Sequence, residues 1–127
     1  MIEQIEKFNN NTLFIEVIDG FTETDEKYCQ QLFEEKIEQG FKQVNLLVKL
    51  DEMKLSNSST KAFFEDTLYV LRNYKKLGHL AIVAHSNILK VLIPIDSIFF
   101  SRASKGRQER YFDVSQIDEA KAFVMLE

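Results

Sequence analysis

Two nearly continuous apolar runs, Val44 to Leu50 and Leu80 to Ala84, constrain the fold of this 127-residue chain more than any other feature. A strand with one wet face alternates apolar and polar side chains, so runs like these read as strands covered on both faces. The stretches between successive strands are of helix length. Such crossovers demand a mainly parallel sheet, with right-handed connections that place the helices against it.

The remaining segments fit that frame. Residues 2 to 8 and 12 to 18 read as two strands joined by Asn9-Asn10-Asn11, residue types that tolerate the backbone of a short hairpin. Thr22 with Asp25 makes a capping-box start for a helix running to about Gln39, where Gly40 supplies the stop, and Tyr28, Leu32 and Ile37 give it a buried stripe. Ser56 to Thr60 offers caps for a second helix, in which Phe63, Thr67, Val70, Leu71 and Tyr74 follow helical spacing and which Gly78 closes. Ser86 or Asn87 starts a third. Arg107 to Asp113 contains the last strand, and Ser115 with Asp118 caps a final helix whose Ile117, Ala120, Phe123 and Val124 share a face. The predicted order is ββαβαβαβα, an α/β fold with a mainly parallel sheet, an antiparallel opening hairpin and helices packed on it. With no internal repeat, low-complexity stretch or linker, residues 1–127 read as a single domain.

Cys29 is the one cysteine, which rules out a disulfide within the chain, and no charged-then-apolar leader opens the sequence. These features predict a cytoplasmic protein. The longest apolar stretch is interrupted by Lys90, Pro94 and Asp96, so at most peripheral membrane contact is expected. A formal charge of -4 gives no general attraction to nucleic acid.

The strand and helix order, together with Arg110-Tyr111-Phe112-Asp113 followed by Ser115-Gln116-Ile117-Asp118-Glu119-Ala120-Lys121-Ala122-Phe123, resembles the SpoIIAA-like STAS proteins, a family of small stand-alone bacterial domains. The resemblance covers essentially the whole chain. It implies a sheet with helices packed on it, a relation to the Sec14 lipid-carrier fold, and no established enzymatic activity. A second likeness concerns Met53 to Thr60, which falls where anti-sigma-factor antagonists carry an Asp-Ser-Ser-Gly phosphorylation site. By position Ser58 is the implied phosphoacceptor, although Asn57 stands for the Asp and Thr60 for the Gly. A phosphate there would meet the free N–H groups and favourable dipole of a helix start, and the competing reading is that these serines simply cap the helix.

Little in the chain specifies a reaction. His79 and His85 lie six residues apart on one predicted strand, about 20 Å at roughly 3.3 Å per residue, too far to share a metal ion. No cofactor or metal site is therefore expected. His85 is the better placed of the two, at the carboxyl end of a parallel strand where α/β domains hold ligands; it reads as a hydrogen-bonded histidine or as a base. Cys29 has Asp25, Glu26 and Glu34 nearby rather than cations, so an inert thiol is expected. There is no glycine-rich phosphate loop and no Gly-x-Ser-x-Gly elbow.

The segment Ile88 to Phe100 is the functional clue, with nine large apolar residues in thirteen and Pro94 in the middle. A proline inside a helix removes a donor and costs about 3 kcal/mol unless the helix bends, so a kinked or two-part helix is expected over 87–100. One sheet-facing stripe does not use that much apolar surface. Three covers are open: the domain's own core, a second copy of the chain in a homodimer, or an apolar, lipid-like small molecule. Arg102, Lys105, Arg107 and Arg110 put four of the sixteen basic residues into nine positions just beyond it, as a phosphate head group or ordinary loop solvation would suit. No aromatic side chains interleave that loop, so nucleic acid is not expected. The candidate binding residues are Leu92, Ile95, Phe99, Phe100, Arg102, Lys105 and Arg107, and no catalytic residue is assigned.

Overall fold

The computed structural model describes residues 2–18, 22–50, 69, 76–85 and 109–125. They form a five-stranded sheet built from β1 (Ile2–Lys7), β2 (Thr12–Val17), β3 (Val44–Leu50), β4 (Leu77–Ala84) and β5 (Glu109–Asp113), in the order β1-β2-β3-β4-β5. β1 pairs with β2 antiparallel; every other neighbouring pair is parallel. The α/β reading with its antiparallel opening hairpin holds for these residues. The helix expected after Ser56 and the one expected over 87–100 lie outside the described residues, apart from Tyr69, which is helical and exposed.

Alternation along the strands sorts the core into two layers. On one face Leu13, Ile15 and Val17 of β2, Val44, Leu46, Val48 and Leu50 of β3, and Leu80, Ile82 and Ala84 of β4 pack with Cys29, Leu32 and Phe33 of the first helix, α1 (Glu23–Glu38). On the other face Phe14, Leu47, Ala81 and Val83 meet Ala120, Phe123 and Val124 of α2 (Ile117–Val124). α1 is the crossover between β2 and β3. α2 follows the last strand and needs no crossover, so it can fold back across the opposite face. The continuous apolar runs of β3 and β4 are thus explained: both layers need them.

α1 starts on the predicted capping box. Thr22 Oγ1 accepts the Asp25 N–H at 3.3 Å, and Asp25 Oδ2 accepts the Thr22 N–H at 2.8 Å. Gly40, with φ of 102°, turns the chain out at the other end. The buried stripe, however, runs through Asp25, Cys29, Leu32, Phe33 and Lys36, and Tyr28 is 37% exposed. Of the expected stripe Leu32 is buried, Ile37 is half-buried against the same core, and Tyr28 is a correction. The buried face is rotated because a carboxylate and an ammonium can occupy its ends when backbone groups satisfy them.

Two further expectations are corrected. Gly78 does not close a helix: β4 begins at Leu77, and Gly78 lies within it at a bulge where Val44 pairs with Leu77 but Leu46 with Leu80. The final helix is not capped by Ser115 with Asp118. Asp113 accepts the Ser115 N–H while Gln116 accepts the Asp113 N–H, which opens a 3-10 turn over Val114–Gln116 that leads into α2. A strand-end Asp can cap at once, whereas Ser115 is already inside the turn.

Candidate functional site

Parallel strands β2 to β5 present their carboxyl ends along one sheet edge, where α/β folds place ligands. Ala84 and Asp113 are register partners there, and exposed His85 follows Ala84 directly. The Asp113 carboxylate accepts from Ser115 Oγ at 2.7 Å and from the Ser115 N–H at 3.0 Å. These bonds hold its pKa below the usual 3.8, side-chain bond first, and the positive charge of His85 adds to the effect. Imidazole and carboxylate are therefore electrostatic neighbours at this edge.

The arrangement does not make an activated nucleophile. An activated serine hands its proton to a base, and here the Ser115 hydroxyl donates to a carboxylate that is committed to starting a helix. His85 has no serine aligned on it among these contacts, and no group of three His, Cys, Asp or Glu among the described residues could hold a metal ion. His79 sits on the opposite half of β4, half-buried, its ring 5.5 Å from that of Phe123. Cys29 is fully buried in the core.

β4 delivers the chain to this edge at His85, and β5 takes it up again at the opposite, amino edge, where Glu109 pairs with Leu80. Leu92, Ile95, Phe99, Phe100, Arg102, Lys105 and Arg107 all fall between these two points and lie outside the described residues, as does Ser58. Of the basic patch only Arg110 is described. Its guanidinium carbon stands 5.0 Å from the centre of the Phe123 ring, which in turn lies 5.9 Å from that of Phe112. A cation over an aromatic face contributes about 0.5–1 kcal/mol at an exposed site. Arg110 therefore has a structural task on α2.

Three polar anchors were missed by pattern reading. Lys36 Nζ donates to the carbonyls of Phe8 at 2.7 Å and Asn10 at 2.5 Å, fastening the β1–β2 turn to the end of α1. Asp25 Oδ1 accepts the Ile2 N–H at 3.1 Å and so ties β1 to the start of the same helix. Asn45 accepts the His79 N–H at 2.8 Å and donates to the Val124 carbonyl at 2.7 Å, joining the β4 bulge to the end of α2. Helical spacing of Asp25 and Lys36 with Leu32 carries the signal for the first two; Asn45 is visible only as a polar break in an apolar run.

The sequence model of the SpoIIAA-like family matches residues 12–125. The chain belongs to the SpoIIAA-like family. The match begins at β2 and ends with α2, so β1 alone of the described strands lies ahead of it. No curated protein matches the chain significantly, and no solved structure does. SpoIIAA-like domains are in general binding or regulatory rather than catalytic. Among the described residues, no helix of this SpoIIAA-like chain is long and apolar enough to cross a membrane.

Proposed function

We propose that this SpoIIAA-like chain is a non-enzymatic, cytoplasmic binding domain. It engages an apolar or lipid-like ligand, or a protein partner such as a second copy of itself, through segment 87–100 and the basic loop 102–110. The observation that carries this reading is the nine large apolar residues in thirteen from Ile88 to Phe100, followed by Arg102, Lys105 and Arg107. Each large apolar side chain left in water forgoes roughly 1.5–3 kcal/mol, so an excess of them calls for a cover.

Native mass spectra of freshly purified protein, set beside denaturing spectra of the same sample, test it. A dimer of bare chains assigns the segment to self-association, and a monomer with extra mass that denaturation releases assigns it to a ligand. Phe99→Ser with Phe100→Ser should abolish either species while the far-ultraviolet dichroism stays that of the wild type. A bare monomer, unchanged by the substitutions, returns the segment to the core and ends the proposal. The rival reading is a regulatory switch phosphorylated at Ser58, favoured by its place eight residues beyond the end of β3. Phosphate mapping on protein taken from its own cells decides that one.

A further inference from the structure

A cleft of about 280 Å³ opens between the β1–β2 turn and the last turns of α1, and its lining is mostly polar: Gln4, Lys7, Asn9, Glu35, Lys36 and Gln39. Lys36 is the unusual member. It is only 6% exposed, yet among the described residues no carboxylate pairs with it. Buried ammonium groups are ordinarily paired with a carboxylate or phosphate. Its three N–H bonds meet two carbonyls, those of Phe8 and Asn10, and the α1 carboxyl end adds only a partial negative charge. The Phe41 ring, its centre 5.8 Å from Nζ, adds a further partial negative charge, so among the described residues the ammonium at the wall of this cavity is met by dipoles and a ring face and by no full negative charge.

We propose that this cleft binds a compact polar anion, with a carboxylate or phosphate group on Lys36 and the amides of Gln4, Asn9 and Gln39 around it. Lys7 stands on the same side of the charge balance and Glu35 opposes it, so the site carries a net positive charge. Burial pushes the Lys36 pKa down from its usual 10.5, and a bound anion would push it back up. The site shares no residue with segment 87–100 or the loop after it, and it stands whether or not that segment binds anything.

Titration of nitrogen-15-labelled full chain with inorganic phosphate and, separately, with lactate tests the proposal, against sodium chloride at matched ionic strength. Saturable shifts of the Lys7, Asn9 and Gln39 amides with either anion support it, and the anion that binds more tightly identifies the head group. Glu35→Gln, an exposed change, should tighten binding about two- to fivefold, the effect of one exposed charge interaction. Lys36→Met should abolish saturation; should that variant fail to fold, Glu35→Gln decides. Shifts that chloride reproduces, or binding unchanged in Glu35→Gln, overturn the proposal.

Discussion

Asp25 and Lys36 are charged side chains that occupy the two ends of an otherwise apolar stripe, Asp25 held by the Thr22 and Ile2 N–H groups and the Thr22 hydroxyl, Lys36 by the Phe8 and Asn10 carbonyls. For Asp25, burial raises the carboxyl pKa, but the hydrogen bonds it accepts, led by that from the Thr22 backbone, outweigh this and leave it below 3.8. A carboxyl whose folded pKa is depressed adds stability that is complete above the unfolded value and is lost as pH falls through the folded one. Asp25→Asn should therefore cost about 1–2 kcal/mol near neutrality, as loss of charge-assisted bonds does. It should also flatten the stability profile below about pH 4, where the wild-type carboxyl itself titrates. Urea midpoints from pH 2 to 7 for both proteins check this, and parallel profiles would refute it. Lys36 has the same sign of dependence in the alkaline range: with its folded pKa depressed by burial, the cost of the buried charge is relieved as pH rises through that value toward the usual 10.5.

At the scale of elements, the junction of β3, β4 and α2 turns on Asn45. Its amide sits in the bulge opened by Gly78, where a Cβ would overlap Asn45 Oδ1, and it reaches the Val124 carbonyl that Thr12 Oγ1 also meets at 3.2 Å. The last carbonyls of a helix have no partner within it, so these two side chains act as the carboxyl-terminal cap of α2. Asn45→Ala removes the acceptor of the part-buried His79 N–H and one of two side-chain donors to the Val124 carbonyl. It should cost about 2–3 kcal/mol, and Thr12→Val about 1 kcal/mol, because only the Val124 contact is lost. Thermal or urea unfolding of the two variants gives the comparison, and equal losses would contradict the role assigned to Asn45. Gly78→Ala should fall with Asn45→Ala, since the added methyl displaces the same amide.

Across the whole molecule, stability is concentrated in the middle of the sheet. β2, β3 and β4 are buried on both faces, while β1 is an edge strand whose Glu3, Ile5, Glu6 and Lys7 are exposed. Ile5 is the extra residue of a bulge between Gln4 and Glu6. Bulges and charges on an edge oppose pairing with another chain, which argues against β1 as a dimer surface. Hydrogen exchange should show β2, β3 and β4 amides opening only with global unfolding and β1 amides exchanging well before them. Uniform protection across all five strands would mean that β1 is held by more than its pairing with β2 and the Asp25 and Lys36 bonds.

Much of this was legible in the residues. Apolar runs with helix-length spacing are local and periodic, so the five strands, the capping box at Thr22 and the stop at Gly40 could be read from the chain alone, as could the apolar face of α2. The course of the α1 stripe could not, because a hydrophobic count passes over Asp25 and Lys36 and selects Tyr28. Whether a charge can be buried depends on partners distant in sequence: Ile2 for Asp25, Phe8 and Asn10 for Lys36. The same holds for Gly78, which looks like a helix stop until Asn45, 33 residues earlier, occupies the space a side chain would need. The sequence by itself determined the α/β order and the strand identities, because these follow from periodicity. Only the tertiary structure decided which polar groups are buried and that Lys36 lines a cleft, because a desolvated group is tolerated or excluded by the atoms that fold against it.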